Sequence, residues 1–290
     1  MTTVSVEAWA KLNLYLHVTG KRSDGYHLLD SLVVFAGIGD TVTVCAAPSL
    51  SLTVNGPTAS LLATDSCDDN MVLRAARALA ARANVPALAH IHLTKRLPVA
   101  AGIGGGSADA AATLRALIQL WNLRLSEPVL ADLALGLGAD VPVCLRGRPT
   151  RMQGVGEILS EGPALPAVWV VLVNPLIGLS TPAVFKARSG DFSPPAPLGG
   201  PIADAAALAA SLARRGNDLA APAITLVPVI ADMLALLESQ PNCLLARMSG
   251  SGATCFALFS RQGDAAAAAA AMTTLHPDWW TKSAPLISSS

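Results

Sequence analysis

A cluster of glycines before a predicted helix is the feature that most constrains the fold. Glycine fills four of the five positions from 102 to 106, within the segment PVAAGIGGGSAD at residues 98–109. Such a backbone can approach a ligand closely, and the helix N-terminus beyond it presents unpaired N–H groups to an anion. The segment lacks the Gly-Lys-Ser/Thr ending of a P-loop, and Ser107 stands where a dinucleotide fingerprint needs glycine. We expect a phosphate-binding loop; the alternatives are a flexible loop or a tight helix–strand contact.

Strand and helix patterns alternate along the chain. Apolar residues at every second position from Leu12 to Val18 predict a strand with one buried face, which puts Lys11 and Asn13 together on the non-core side. A tight turn is predicted over Lys21–Tyr26, and Asp69 or Asn70 is predicted to cap a helix. The other predictions are strands at 41–45, 91–93, 141–145 and 168–173, a loop at 189–201, a turn and strand within 244–259, a frayed tail at 288–290, and helices at about 70–83, 107–121, 126–135, 203–214, 226–239 and 265–275. This mixture predicts an α+β fold.

Composition and charge exclude several classes of function. Lys and Arg number 20 and Asp and Glu number 20, so the chain has no basic field that would gather nucleic acid. The N-terminus does not resemble a signal peptide, and no apolar run approaches the ~18 residues that would span a membrane. The cysteines are scattered, at positions Cys45, Cys67, Cys144, Cys243 and Cys255. We therefore expect a cytoplasmic protein with buried thiols, no disulfides, no zinc, and neither a membrane nor a nucleic acid as partner.

Three segments resemble the three motifs of the GHMP kinase superfamily: AKLNLYLHVTGKRSDGYH at 10–27, LPVAAGIGGGSADAA at 97–111 and MSGSGATCFALF at 248–259. The Lys-x-Asn strand followed by GKRxDGYH resembles one branch, the cytidyl-methylerythritol kinases of the non-mevalonate isoprenoid route. The segments at 137–143, 174–185 and 215–219 resemble the same branch. The resemblance runs from about residue 7 to about residue 259.

The resemblance implies a two-domain fold. Residues 1–157 would form an N-terminal ATP-binding domain like that of ribosomal protein S5, carrying the glycine-rich phosphate loop. Residues 158–290 would form a C-terminal ferredoxin-like domain, with the active site between the two. The resemblance leaves the assembly as a monomer or a weak homodimer.

The implied reaction is phosphorylation by ATP of the 2-hydroxyl of a cytidine-diphosphate-bearing methylerythritol. Phosphoryl transfer to an alcohol needs a phosphate cradle, positive charge and a proton acceptor. Asp140 matches the family's general base, and Lys11 matches the lysine that keeps this carboxylate ionised. Taken alone, a strand lysine is usually solvated and an aspartate in Gly-Ala-Asp-Val-Pro is often a turn or cap residue. Mg²⁺ would travel with ATP, and no residue is assigned to hold a metal.

The resemblance also implies binding residues. The ATP phosphates would lie on a loop formed by Pro98, Val99, Ala100, Ala101, Gly102, Ile103, Gly104, Gly105, Gly106, Ser107 and Ala108, with Asn70 and Lys95 near the adenine or ribose. Tyr26 and Phe185 would sandwich the cytosine while His27 reads the edge of the base. The remaining substrate positions are Asn13 near the acceptor end, Thr181 and Pro182 beside Phe185, and the backbone of Gly250, Ser251 and Gly252.

Three other readings stay open. One is another kinase of the superfamily, acting on mevalonate, phosphomevalonate or homoserine. A second is a sensor on the same fold that binds ATP and ligand but transfers nothing; the presence of both Lys11 and Asp140 argues against it. A third is a nucleotide-dependent structural protein. Its only support is the Ala-rich helices, and these are explained more simply as part of the hydrophobic core.

Overall fold

The computed structural model describes residues 2–62 and 70–287. These residues form ten β-strands and nine α-helices, and their contacts divide the chain into two compact units. Unit 1 comprises Met1–Ala10, Ile38–Val99 and Gly104–Gly147; unit 2 comprises Lys11–Gly37, Ala100–Ile103 and Arg148–Ser290. Because each unit draws on several segments, no single cut defines them. The domain boundary after residue 157 therefore stays a prediction.

Two long strands contribute residues to both units. Strand β1 (Thr3–Lys21) pairs with strand β2 (His27–Cys45). The predicted turn between them is confirmed, since the Arg22 N–H donates to the carbonyl oxygen of Tyr26 at 2.8 Å. The short strand predicted at 41–45 is only the end of the much longer β2.

The prediction that β1 buries one face is wrong. Lys11 is 4% exposed and Asn13 is 1% exposed, so both lie in the interior with the leucines that alternate with them. A period of two shows which residues share a face of a strand, but it does not show what covers that face. Here both faces of the central part of β1 are covered.

Unit 1 combines a small sheet with four helices. Strand β3 (Ser51–Asn55) runs parallel to β4 (His90–Thr94), which is antiparallel to residues 41–45 of β2. The helices are α1 (Met71–Ala83), α2 (Gly105–Leu120), α3 (Glu127–Leu137) and α4 (Val141–Arg146), and a 3₁₀ turn covers Ala59–Leu62. Helix α2 packs against α1 and α4. The buried alanines at 108 and 110–112 give α2 a narrow face that neighbouring helices can approach closely.

Of the predictions for the first and last helices of unit 1, one is confirmed and one is wrong. Asn70 caps α1 as predicted, because its side chain accepts a hydrogen bond from the Val72 N–H at 2.9 Å, whereas Asp69 lies outside the described residues. The strand predicted at 141–145 is wrong, since this segment is α4. Pro142 in its first turn and Gly147 at its end, with φ +62°, mark a helix. A short apolar run has too few positions for its period to separate a strand from a helix.

Unit 2 contains two sets of paired strands. Strand β5 (Thr150–Gly154) is antiparallel both to residues 29–33 of β2 and to β6 (Ile158–Glu161). A second sheet, antiparallel throughout, has the order β10–β7–β9–β8 and consists of β7 (Trp169–Asn174), β8 (Leu245–Met248), β9 (Cys255–Phe259) and β10 (Trp280–Pro285). The helices of unit 2 are α5 (Thr181–Ala187), α6 (Ala205–Ala213), α7 (Ala220–Leu226), α8 (Val229–Glu238) and α9 (Gln262–Leu275).

The predicted α+β class is confirmed by these elements. Helices α6, α8 and α9 and the loop at 189–201 lie where they were predicted, while α7 was not predicted. The core of unit 2 packs side chains of β7 and β9, such as Val171 and Phe259, against Ile230, Met233 and Met272 from helices α8 and α9. No described helix combines the length and the apolar character needed to cross a membrane.

The cysteine predictions are met in part. Cys144 and Cys255 are buried, as expected, but Cys45 and Cys243 are only half-buried. Cys67 and the tail at 288–290 lie outside the described residues.

Candidate active site

The glycine-rich segment bends where glycine is required. Gly102 has φ +72°, in the left-handed region that side chains disfavour. A Cβ on Gly102 would lie 2.6 Å from the carbonyl oxygens of both Ser249 and Gly252, well inside van der Waals contact. Unit 2 can therefore keep this close backbone approach only with glycine at position 102.

Helix α2 begins in unit 1 directly after this bend. Gly104, with φ +64°, occupies the N-cap, and the first turn contains no acidic side chain. A Cβ on Gly105 or Gly106 would meet no atom nearer than 3.7 Å, and Gly106 is exposed to solvent. The first N–H groups of a helix have no partner within the helix and attract anions. The phosphate-binding role of residues 98–108 stays a prediction, and the helix starts two residues earlier than Ser107.

A buried ionic triad supports the start of α2. The Nζ atom of Lys95 lies 2.5 Å from Oδ2 of Asp40 and 2.8 Å from Oδ2 of Asp109. Oδ1 of Asp40 also accepts hydrogen bonds from the Arg96 and Leu97 N–H groups, at 2.5 and 2.9 Å. Oδ1 of Asp109 is buried and has no hydrogen-bond partner among the described residues. Asp40 is therefore the better satisfied of the two carboxylates.

Burial and the neighbouring charges shift the pKa values of Lys95 and Asp109 in the triad. Burial alone would lower the pKa of Lys95, but the charges of Asp109 and Asp40 outweigh burial and raise that pKa. Burial raises the pKa of Asp109 to about 7, against the lowering effect of Lys95 and with a further rise from Asp40. Lys95 consequently stays protonated, and Asp109 takes up a proton more readily than an ordinary aspartate does.

In unit 2, all three sequence motifs meet in one hydrogen-bonded junction. The Lys11 N–H donates to the carbonyl oxygen of Ile103 at 3.0 Å, and the Thr254 N–H donates to that of Ala101 at 3.1 Å. The Ser249 hydroxyl accepts from the Asn13 N–H at 3.2 Å and donates to the carbonyl oxygen of Gly102 at 3.1 Å. Strand β1, residues 101–103 and the loop after β8 are thereby fixed to one another.

The Asn13 side chain is hydrogen bonded at its NH₂ end and unpaired at its oxygen, among the described residues. Its Nδ2 group donates to Oγ of Ser31 at 2.7 Å, and the Ser31 hydroxyl donates to the carbonyl oxygen of Tyr15 at 2.6 Å. Oδ1 of Asn13 is buried without a hydrogen-bond partner in the described part of the chain. Asn13 thus offers an unused acceptor, which fits its predicted role beside the substrate.

The two predicted catalytic residues belong to different units. Lys11 is buried on β1 in unit 2, and Asp140 is a half-buried residue at the N-cap of α4 in unit 1. Their pairing stays a prediction.

The aromatic residues of the predicted pyrimidine site lie in unit 2. The rings of His27 and Phe185 are stacked, with centroids 5.0 Å apart and planes 22° apart. Tyr26 is 65% exposed on the turn before β2. Burial lowers the pKa of His27, and the positive charges of Lys21 and Arg188 lower it further. A neutral imidazole has one donor and one acceptor nitrogen, as the reading of a base edge requires.

The C-terminal motif also carries the expected glycines and a further contact. Gly250 and Gly252 have φ +56° and +86°, so both adopt the left-handed conformation. The hydroxyl groups of Ser251 and Thr181 are 2.7 Å apart, which ties this loop to the start of α5. Pro182 lies in the first turn of the same helix. The substrate contacts assigned to these residues stay predictions.

The two residues assigned to the nucleoside of ATP already have partners. Asn70 caps α1 and Lys95 is 2% exposed within the triad, and their contact with adenine or ribose is untested.

Sequence reasoning missed the residues that support the site, namely Ser31, Asp40, Asp109, Asn217 and Ser249. Asn217, from the RGNDL segment, donates from Nδ2 to the carbonyl oxygens of Met248 and Gly250, both at 2.8 Å. Asp109, Asn217 and Ser249 lie inside segments that had drawn attention, so their positions carried some signal. Ser31 and Asp40 lie in no such segment.

Comparisons with known proteins agree with the motifs. Models of the GHMP kinase N-terminal and C-terminal domains match residues 70–148 and 202–278. A protein of Paramagnetospirillum magneticum named 4-diphosphocytidyl-2-C-methyl-D-erythritol kinase is 58% identical over 288 residues, which cover 99% of this chain and 100% of that protein. A protein of the same name from Rhodospirillum rubrum is 55% identical over 280 residues, covering 97% of this chain and 91% of the relative.

One solved structure agrees with this family, and a second shares the fold. A crystal structure of 4-(cytidine 5'-diphospho)-2C-methyl-D-erythritol kinase is 34% identical with a TM-score of 0.81, and the match covers 99% of this chain and 100% of that one. Homoserine kinase from Cytophaga hutchinsonii, at 17% identity, shares the fold with a TM-score of 0.72 over 99% of this chain and 95% of its own. The chain therefore belongs to the GHMP kinases and, within them, to the family of 4-diphosphocytidyl-2-C-methyl-D-erythritol kinases.

Proposed function

We propose that this chain transfers the γ-phosphoryl group of ATP to the 2-hydroxyl of 4-diphosphocytidyl-2-C-methyl-D-erythritol, giving the 2-phosphate and ADP. The reaction would serve the non-mevalonate route to isopentenyl diphosphate. Relatives of 58% and 55% identity carry the name of this kinase.

The observation that carries the proposal is the junction in unit 2. Asn13, Gly102 and Ser249 come from three distant sequence motifs, and they are joined there by two hydrogen bonds through a single serine hydroxyl. A strand residue assigned to the acceptor substrate is thereby connected to the loop assigned to phosphate. Most of the rate enhancement in phosphoryl transfer comes from positioning and electrostatic stabilisation, so such a connection is what this chemistry needs.

Catalysis is assigned to Asp140 and Lys11. Asp140 would accept the proton of the 2-hydroxyl as that oxygen attacks the γ-phosphorus. The Lys11 ammonium would keep the carboxylate ionised and orient the hydroxyl, because a positive charge within about 4–6 Å favours the charged form. A general base of this kind contributes about 10²–10⁴-fold in rate.

The cytidine diphosphate portion is assigned to the aromatic residues of unit 2. Tyr26 and Phe185 would stack on the cytosine, and His27 would hydrogen bond to its edge. The stacked pair of His27 and Phe185 and the exposed ring of Tyr26 support this assignment. Aromatic stacking accepts any flat ring, so the base-edge contact is what would select cytosine.

ATP use follows from membership of the kinase family, and we include Mg²⁺ because it neutralises the β- and γ-phosphate oxygens. Those phosphates would lie on the N–H groups at the start of α2, where Gly105 and Gly106 leave the backbone accessible. Mg²⁺ would be held chiefly by ATP itself. The enzyme would act in the cytoplasm as a monomer or weak homodimer.

Mass spectrometry of the product tests the proposal directly. ATP, Mg²⁺ and the diphosphocytidyl substrate are mixed with the protein, and we expect the erythritol portion to gain one phosphoryl group. Mevalonate, phosphomevalonate and homoserine serve as competing acceptors under the same conditions. Transfer to one of these instead would favour another kinase of the superfamily. Folded protein that binds ATP but transfers to none of them would favour the sensor.

A further inference from the structure

Asn13 is immobilised at both its backbone and its side chain. Its N–H donates to Ser249, and its Nδ2 group donates to Ser31 at 2.7 Å. The side chains of Ser31 and Ser249 are fully buried in unit 2 and Asn13 is 1% exposed, so solvent does not compete for these bonds. The remaining atom, Oδ1, has no partner within the described residues.

The direction of the hydrogen bonds fixes which end of the Asn13 amide lacks a partner among the described residues. The carbonyl oxygen of Tyr15 can only accept, so the Ser31 hydroxyl must use its single proton at 2.6 Å on that oxygen. Oγ of Ser31 is then only an acceptor toward Asn13. The amide must therefore present its NH₂ group to Ser31, which leaves Oδ1 as the unused end.

A buried acceptor without a donor is costly. Such an atom loses its hydrogen bonds to water on burial and gains none in exchange, which destabilises the folded state. Gly250 borders this oxygen with backbone alone: a Cβ built there would lie 3.4 Å from Oδ1 and 2.7 Å from the carbonyl oxygen of Gly102. An orientation kept at this cost is best explained by a ligand group that supplies the missing donor.

We propose that Ser31 is a positioning residue that orients the Asn13 amide so that its Oδ1 accepts a hydrogen bond from a hydroxyl of the bound substrate's polyol end. This inference rests on the proposed function, whose substrate carries such hydroxyls. Ser31 itself does not touch the substrate. Without Ser31 the amide is free to rotate, and it then presents donor and acceptor about equally.

Steady-state kinetics of Ser31→Ala test the proposal. We expect the KM for the polyol substrate to rise about 5–10-fold, the factor that corresponds to one neutral hydrogen bond, while the KM for ATP stays within about twofold. Thr150→Val is the matched control, since it also removes a fully buried hydroxyl that donates to a carbonyl oxygen in unit 2. A Thr150→Val variant with the same rise in KM would overturn the proposal.

A double-mutant cycle with Asn13→Ala separates a positioning role of Ser31 from a merely structural one, because only the positioning role depends on Asn13. If Ser31 acts through Asn13, adding Ser31→Ala to Asn13→Ala has no further effect on the KM for the polyol substrate. Fully multiplicative effects would refute the proposal.

Substrates lacking the 1-hydroxyl or the 3-hydroxyl, together with inhibition by the 2-deoxy compound, identify the donor. The Ser31→Ala effect should vanish with one of these compounds, and its persistence with all three would also refute the proposal.

The two failures are distinguishable. No turnover of the diphosphocytidyl substrate by the wild-type chain would remove the proposed function and this inference together. Wild-type turnover with multiplicative variants would remove only the role of Ser31. If Ser31→Ala does not fold, Ser31→Cys fills similar space with a weaker hydrogen-bonding group and should raise the same KM.

Discussion

Lys95, which directly follows β4, forms a buried ion pair with Asp109 of α2, with Nζ 2.8 Å from Oδ2. Lys95 also forms an ion pair with Asp40, so a single ammonium group pairs with two carboxylates in the interior of unit 1. The backbone that precedes the glycine-rich turn and the helix that follows it are both tied to this group.

Removal of the ammonium should destabilise the fold strongly. Lys95→Met leaves two buried carboxylates without their cation, and loss of one partner of a buried pair typically costs about 3–5 kcal/mol. Urea denaturation followed by circular dichroism measures the change in the free energy of unfolding. Arg22→Met is the control, because the Arg22–Asp24 pair is about half exposed and should contribute less than about 1 kcal/mol. Similar losses in the two variants would contradict the role assigned to the triad.

The pH dependence of stability should carry the signature of Asp109. Its pKa is 3.8 in the unfolded reference and about 7 in the fold, so between these values the folded state binds more protons than the unfolded state. The stabilising effect of protonation is complete below about pH 4 and is lost as the pH rises toward 7. Asp109→Asn cannot titrate, so its stability relative to wild type should increase over this range. Parallel stability curves for the two proteins between pH 4 and pH 8 would rule out the elevated pKa.

Substitution of Gly102 should damage both the loop and the fold. In Gly102→Ala the new methyl group would meet two carbonyl oxygens at 2.6 Å, at a residue with φ +72°. We expect a loss of stability of about 1–3 kcal/mol and weaker binding of ATP, measured by denaturation and by calorimetric titration. Gly136→Ala is the control: it lies inside α3 with no atom within 4 Å, and it should stabilise the protein by about 0.5–1 kcal/mol. A tolerated Gly102→Ala would show that the close approach is not required.

The electrostatic environment of His27 can be tested by NMR. Lys21 and Arg188 both lower the pKa of His27 beyond the effect of burial. Lys21→Gln and Arg188→Gln should therefore each raise this pKa, as followed by imidazole proton shifts during a pH titration. Arg261→Gln, at the N-cap of α9, should leave it unchanged. No movement in either of the first two variants would mean that burial alone sets the pKa.

Asp140→Asn should separate catalysis from binding. The amide keeps the shape of the side chain but cannot accept the hydroxyl proton, so kcat should fall about 10²–10⁴-fold while the dissociation constants of both substrates change little. Single-turnover kinetics and calorimetry measure the two quantities. Asp132→Asn, on the exposed side of α3, should retain full activity. Unimpaired turnover by Asp140→Asn would exclude this carboxylate as the base.

Local signals predicted the elements that they directly encode. Helix α1 follows from Asn70 as its cap, and the tight turn before His27 follows from Asp24-Gly25. Helix α4 was mistaken for a strand because its apolar run is short and its identity depends on where Pro142 and Gly147 lie. The burial of Lys11 and Asn13 was missed because alternation along β1 does not show that the polar side of the strand is also covered.

The supporting residues of the site needed the tertiary structure. Lys95 is 55 residues from Asp40 and 14 from Asp109, and no spacing rule connects three such positions. Ser31 lies 18 residues from Asn13 on the neighbouring strand, and its importance depends on the proton that it gives to Tyr15. Motifs identify residues that meet the ligand, whereas the residues that hold them in place are recognised by the bonds they form.

Strands β1 and β2 each contribute residues to both units, and this limits where recombination between related chains can succeed. Strand β2 pairs with strands of both units: its residues 41–45 are hydrogen bonded to β4 and its residues 29–33 to β5. A single crossover between residues 45 and 150 would separate β2 from at least one of these partner strands. Functional hybrids between homologous kinases should therefore arise mainly when both hairpin strands and their partners are inherited together.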